Sequence, residues 1–275
     1  GNCGFTLAPC TEEKAELAMR NLERAEDIAR ESMVEGITWS WETYPDYLAA
    51  VEAQPKGMNY AGYIGHSALR TYVMGERAFT DQASEDELAT MCRLVQEAVR
   101  AGAIGFSTSR THKLFTDMPV ASAVSEWNEV RTIVNAMGKC GAGIFELAGD
   151  ITEGDPEATQ EYPDRILALS VESGVPMTWG VTAAEGAEEY WRGKLALLDE
   201  TAARGGRMFA QAHSRTLDVL YSFETRTPFD SWDHWKEIRE LPLNQQIEKL
   251  KDAEVRKKLI DIATDPGGKK FRNSF

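Results

Sequence analysis

Three short stretches of the 275-residue chain place reactive side chains beside glycine or at the end of an apolar run. In GNCG, Cys3 stands between residues that let the backbone turn tightly and let another group approach the thiol. A thiolate at that position can hold a metal such as Zn²⁺; a small buried cysteine in a tight turn fits the same residues. In YIGHSALR, His66 follows an apolar run and Arg70 comes four residues later. An imidazole there can act as metal ligand, as acid or base, or as oxyanion donor, and the guanidinium can clamp a carboxylate. A histidine satisfied by local hydrogen bonds and an arginine in an ion pair are the alternative. In GAIGFSTSRTHK, Ser107, Thr108, Ser109, Arg110, His112 and Lys113 follow another apolar run. Such a loop suits recognition of an anion or an amide, or is a turn whose hydroxyls bond their own backbone. Glu146 and Asp150 in FELAGD, and His213 in AQAHSR, also stand after apolar runs, whereas His234 in SWDHWKE reads as packing or surface. No HxH, HExxH or GxSxG occurs, so pieces of a metal site are present without a complete ligand set.

The elements that must position these residues show in the hydrophobic pattern. Short apolar, Gly-flanked runs at 58–66, 103–109, 143–149, 175–182 and 207–213 read as buried strands. Amphipathic stretches lie between them. A helix is expected over 11–33 with Thr11 as N-cap, and another over 84–102 with Ser84 and Glu87 as a capping box and Gly102 at its end. Further helices are expected over 125–141, 162–173, 185–204 and 244–263. The later strands start every 30–40 residues or so, the length of one strand-plus-helix unit, which gives a parallel sheet with helices outside. No GxGxxG follows a strand and no GxxxxGK[ST] occurs, which favours a (β/α)8 barrel over an open nucleotide-binding sheet. Five or six strands are visible where a barrel needs eight, so the chain reads as part of one: a single partial barrel domain over residues 1–275.

Composition narrows the function. The net charge of −14 repels a phosphate backbone, so no nucleic-acid partner is expected. No apolar run is long enough to cross a bilayer, and four sparse cysteines fit a reduced, cytoplasmic setting.

GNCGFTLAPC, YIGHSALR and GAIGFSTSR, in this order and separation, resemble the D-aminoacylase / N-acyl-D-amino-acid deacylase group of the amidohydrolase superfamily. With RMFAQAHSR and LPLNQQI the resemblance covers most of the chain. It implies a metal-dependent α/β barrel that hydrolyses a linear amide, with a small N-acyl amino acid or related amide as partner. Cys3 becomes the metal ligand and His66 the catalytic histidine at the mouth of the site. Arg70, or Arg110 after it, would hold the substrate carboxylate, with Ser107, Ser109 and His112 lining the site. The family carries a His-x-His pair upstream of GNCG and a catalytic aspartate on a late strand, so the chain reads as an internal fragment without the first and last strands, inactive by itself. GIFELAGD and VPMTWGVT lack the histidine that better-studied members carry on each middle strand. The resemblance therefore implies one zinc ion, with the remaining ligands outside this chain. Two other readings stay open: a hydantoinase-like enzyme for cyclic amides, although the middle strands offer no lysine for carbamylation, and a barrel that only binds or assembles. Unpaired sheet edges also leave a homo-oligomer open.

Overall fold

A computed structural model describes residues 3–26, 28–114, 116, 118–149, 156–183, 186, 188–212, 214–216, 220–224, 227–230, 232 and 234–264. The first compact unit ends at 212 and the second begins at 213. In the first, helices α1 (Ala15–Ala25), α2 (Arg30–Gly36) and α3 (Tyr44–Ala53) precede strand β1 (Tyr63–Gly65). Then come α4 (His66–Met74), α5 (Glu85–Ala101), β2 (Gly105–Thr108), α6 (Ala121–Val124), α7 (Trp127–Gly138) and β3 (Ile144–Leu147). α8 (Pro156–Ser173), β4 (Met177–Gly180), α9 (Glu188–Ala203) and β5 (Met208–Gln211) complete it. The second unit carries α10 (Trp235–Arg239), α11 (Leu243–Lys251) and α12 (Ala253–Thr264) around buried Trp232, Trp235 and Leu259.

All five strands fall inside the expected apolar runs. They form one parallel sheet in the order β1-β2-β3-β4-β5. Each crossover leads to the next strand without a reversal. That is the winding of a barrel segment; a doubly wound sheet reverses at a switch point. Register sets Ile64, Phe106, Phe145, Met177 and Met208 side by side in one row. Helical residues such as Leu69, Val95, Ile133 and Leu169 join that row in one buried cluster. Full burial of each such side chain stabilises by about 1.5–3 kcal/mol. Side chains one residue along point to the opposite face, and it is there that the polar residues of the strands gather.

The expected capping box of α5 is present: Ser84 Oγ accepts the Glu87 N–H at 3.3 Å and Glu87 Oε2 accepts the Ser84 N–H at 2.8 Å. Gly102 ends the helix at φ +120°. Ser84→Ala is expected to cost about 1 kcal/mol, read as a lower urea midpoint at unchanged slope.

Two long helices are each divided. The 11–33 stretch forms a 3₁₀ turn (Glu12–Lys14), α1 and α2, and Thr11 makes no capping hydrogen bond. Leu17, Ala18 and Met19 bury the first half, whereas Ile28 and Val34 are 45% and 62% exposed, so packing does not carry the helix through. The 244–263 stretch breaks at Asp252, whose Oδ1 accepts the Glu254 N–H at 2.8 Å and starts a new helix. α3, which the sequence reading missed, opens on its own capping box, Thr43 with Asp46.

Candidate active site

Of GNCG, Cys3 and Gly4 are described, and Gly4 lies against the ends of β1 and β2. Gly4, at φ +73°, offers its carbonyl to the Ser67 N–H, and a Cβ on it would stand 2.7 Å from Ser107 O and Thr108 Cα. The group that the glycine lets approach is thus the backbone of β2. Cys3 is half-buried, and burial pushes its thiol up to about 11, with the Glu26 and Glu146 carboxylates adding to the effect.

Alternation along β2 splits the hydroxyl run. Thr108 faces the helices and Ser107 faces away from them, in register with Glu146 on β3 and Thr178 on β4. On β5 the register partner of Thr178 is the exposed Phe209; Gln211, two residues on along the same face, reaches back, its Nε2–H donating to Glu146 Oε1 at 3.0 Å and to Thr178 Oγ1 at 2.9 Å. Ser107 is fully buried and its Oγ has no hydrogen-bond partner. Tyr63, on the same face of β1, has its phenol pushed up to about 12 by burial and by the Glu146 carboxylate. This face therefore offers a carboxylate, two hydroxyls, an amide and a phenol along the strands, with Cys3 at its edge.

His66 and Arg70 lie on the opposite side, between sheet and helices, and both are fully buried. His66 is the first residue of α4. A carboxylate only accepts, so His66 Nε2–H donates to Glu129 Oε1 at 2.7 Å, while Nδ1 accepts from Thr108 Oγ1 at 2.8 Å. Arg70 Nη1 meets both Glu129 oxygens, at 2.7 and 2.6 Å, and Nη2 donates to Asp81 O at 2.6 Å. Burial holds the His66 imidazole below its ordinary value, so it is neutral at pH 7. Burial alone would raise the Glu129 carboxyl; the hydrogen bond from His66 and the nearby cationic Arg70 outweigh it and pull Glu129 down to about 2.

Farther along the β2 loop, Ser109 is fully buried and pairs with His112 Nδ1, and His112 packs edge-on to Phe5 at 5.3 Å. Burial, then Arg24, holds His112 below its ordinary value. Arg110 is 8% exposed, with Nη2 donating to Ser125 O at 2.6 Å. Thus the structure brings Cys3, Ser107 and Glu146 toward one face. His66 and Arg70 go to another, and Ser109, Arg110 and His112 are knit into the β2 loop. Asp150 and His213 lie outside the described residues. Glu129, Thr178, Gln211 and Tyr63 were not singled out from the sequence. Glu129 had a signal: it stands four and eight residues before the buried Ile133 and Met137, on the apolar stripe of α7.

A zinc site needs three or four donors. Cys3 supplies one sulfur donor, and a cation beside it would offset the burial and the carboxylates that hold it as a thiol. Among the described residues no group of three or more His, Cys, Asp or Glu side chains could hold a metal, so a closed set needs further donors.

Strands wound in sequence, with a polar row on the face away from the helices, define a segment of a (β/α)8 barrel. The chain belongs to the amidohydrolase family, whose model matches residues 11–267. It is 38% identical over 128 residues to a D-aminoacylase of Alcaligenes xylosoxydans xylosoxydans, covering 46% of this chain and 22% of that protein. It is 30% identical over 170 residues to an N-acyl-D-glutamate deacylase of the same organism, covering 58% of this chain and 30% of that one. An uncharacterized protein of Mycobacterium tuberculosis is 32% identical over 163 residues, 55% of this chain and 26% of its own length. The chain thus spans roughly a quarter of the length of these relatives. A crystal structure of D-aminoacylase superposes with a TM-score of 0.56 at 25% identity, over 78% of this chain and 40% of that one. An N-acyl-D-glutamate deacylase of Bordetella bronchiseptica, complexed with zinc and a phosphonate inhibitor, superposes at 0.53 with 21% identity, over 76% and 40%. Among the described residues no helix is long and apolar enough to cross a membrane.

Proposed function

We propose that the protein containing this chain hydrolyses the amide bond of N-acyl amino acids, with the polar row of the sheet as part of its active site. One observation carries this reading: Ser107, Glu146, Thr178 and Gln211 line one face of the strands beside Cys3, in a chain of the amidohydrolase family. Relatives named for deacylation of N-acyl-D-amino acids supply the substrate class.

In this reading Cys3 is one ligand of a divalent metal whose other donors come from outside the described residues. When bound, such an ion would supply Lewis-acid polarisation of the scissile carbonyl or the attacking water. The chain's own residues bind and orient. Glu146, steadied by Gln211, accepts the substrate amide N–H, with Ser107 buried beside it in the same row. His66 and Arg70 act as positioning residues: with Glu129 they fix Thr108, and so the end of β2 that presents Ser107. Ser109, Arg110 and His112 shape the loop that borders the substrate.

The test is a panel of N-acyl-D-amino acids and hydantoin rings, assayed with a longer chain that carries the flanking family segments. Linear substrates are expected to turn over. Cys3→Ala is expected to lower metal affinity and activity together, by more than the roughly 10–100-fold that loss of an outer-shell partner costs. Survival of both overturns the ligand assignment, and turnover of rings alone overturns the substrate class. A protein that binds an acyl amino acid without metal or turnover is a binding module instead.

A further inference from the structure

On the helix side of the sheet, near the C-terminal ends of β3 and β4, a cavity of about 440 Å³ opens between the strands, α8 and α9. That is the size of a small-molecule site. It is separate from the polar row. Leu147 and Trp179, which line it, are partners in register and alternate with Glu146 and Thr178, so they point to the other face. Its walls are apolar and aromatic, including Ile166 and Tyr190.

Besides the hydroxyl-bearing Thr111, Tyr162 and Tyr190, two groups in this lining bear on the charge and hydrogen bonding of a ligand. The Trp179 indole is 5% exposed, and its Nε1–H has no acceptor. An indole N–H can only donate, and a buried donor left unmet is costly. Lys194 is the other: its Nζ lies 5.8 Å from the centre of the Trp179 ring and 4.8 Å from that of Tyr190. In a chain of net charge −14, the described residues that line this cavity include no acidic side chain. One cation and one orphaned donor, above an apolar and aromatic floor, suit a single anionic group carrying an apolar tail. A dianion would leave a charge unpaired, and a neutral apolar molecule would leave the indole N–H unmet.

We propose that this cavity binds a monocarboxylic acid with an aromatic or branched apolar tail. The carboxylate accepts from Lys194 Nζ and Trp179 Nε1–H, and the tail packs on Leu147, Ile166 and the rings of Trp179 and Tyr190. The site does not depend on the hydrolase reading, because none of its residues belongs to the polar row.

Calorimetric titration of the chain with phenylbutyrate, and with phenylbutanol as its neutral match, tests the proposal. The acid is expected to bind saturably at one site, and the alcohol about tenfold more weakly. Lys194→Met should bring the acid down to the affinity of the alcohol and leave the alcohol unchanged. Trp179→Phe keeps a ring but loses the donor, and should weaken the acid more than the alcohol. Gly193 lines the cavity, and a Cβ on it meets no atom within 4 Å. Gly193→Leu should therefore keep the circular dichroism of the parent and abolish binding of both probes. Equal affinity for acid and alcohol, or acid binding indifferent to Lys194→Met and Gly193→Leu, overturns the assignment. So does the absence of any saturable heat up to the solubility limit of the acid.

Discussion

Glu129→Ala is expected to destabilise the protein by about 3–5 kcal/mol, the usual cost of removing one partner from a buried ion pair. The reason is what stays behind. Arg70 is fully buried, and two of its hydrogen bonds end on Glu129, so its charge would have no counter-ion at contact distance. His66 Nε2–H would lose its acceptor as well. Chemical denaturation monitored by circular dichroism reads the loss. Replacing both partners by apolar residues, Arg70→Met with Glu129→Met, should cost less than either change alone, because no charge is then stranded. A double substitution that costs the sum of the singles would show that the pair is not energetically coupled.

The same carboxylate gives a pH signature. Its folded value, about 2, lies below the ordinary carboxyl value of about 4.3, so the unfolded state binds more protons as the pH drops. The associated stability, about 3 kcal/mol, is fully present above pH ~4.5 and is lost as pH falls toward 2. His66, held neutral, loses stability in the same direction once pH falls through its unfolded value near 6.5. Glu129→Gln lacks the carboxyl contribution. The gap in stability between parent and variant should therefore narrow from pH ~4.5 toward pH 2, as thermal melts across that range would show. A constant gap would mean that the carboxylate charge does not stabilise the fold.

Gly105→Ala is the second large effect. At this position of β2 an added Cβ would lie 1.8 Å from Ile144 O and 2.5 Å from Ile144 N, atoms of the neighbouring strand itself. No side-chain rotation relieves such a contact; β2 and β3 must separate. A loss of about 3 kcal/mol or more is expected. Gly180→Ala is the control, since nothing lies within 4 Å of a Cβ on that glycine of β4. It should stay within about 0.5 kcal/mol of the parent. Comparable stability of Gly105→Ala and Gly180→Ala would refute the close approach of the two strands.

Local chemistry was legible in the chain because it needs only near neighbours. The capping box of α5 involves residues three apart, and each strand shows as an apolar run because its row of Ile64, Phe106, Phe145 and Met177 is buried under helices. The division of the 11–33 stretch was not legible: its helical pattern continues, but in the second half Met33 is buried while Ile28 and Val34 stay exposed. The motif residues likewise showed their chemistry but not their side of the sheet. Ser107 and Thr108 are adjacent in sequence and share a hydroxyl, yet a strand's two-residue alternation sends one to the polar row and the other to His66. Arg70, spaced like a substrate clamp, is met by a carboxylate 59 residues away on α7. The sequence by itself determined the five strands, most of the helices between them and which residues could react. Tertiary structure decided which of them meet, because a buried charge requires a partner wherever the chain brings one.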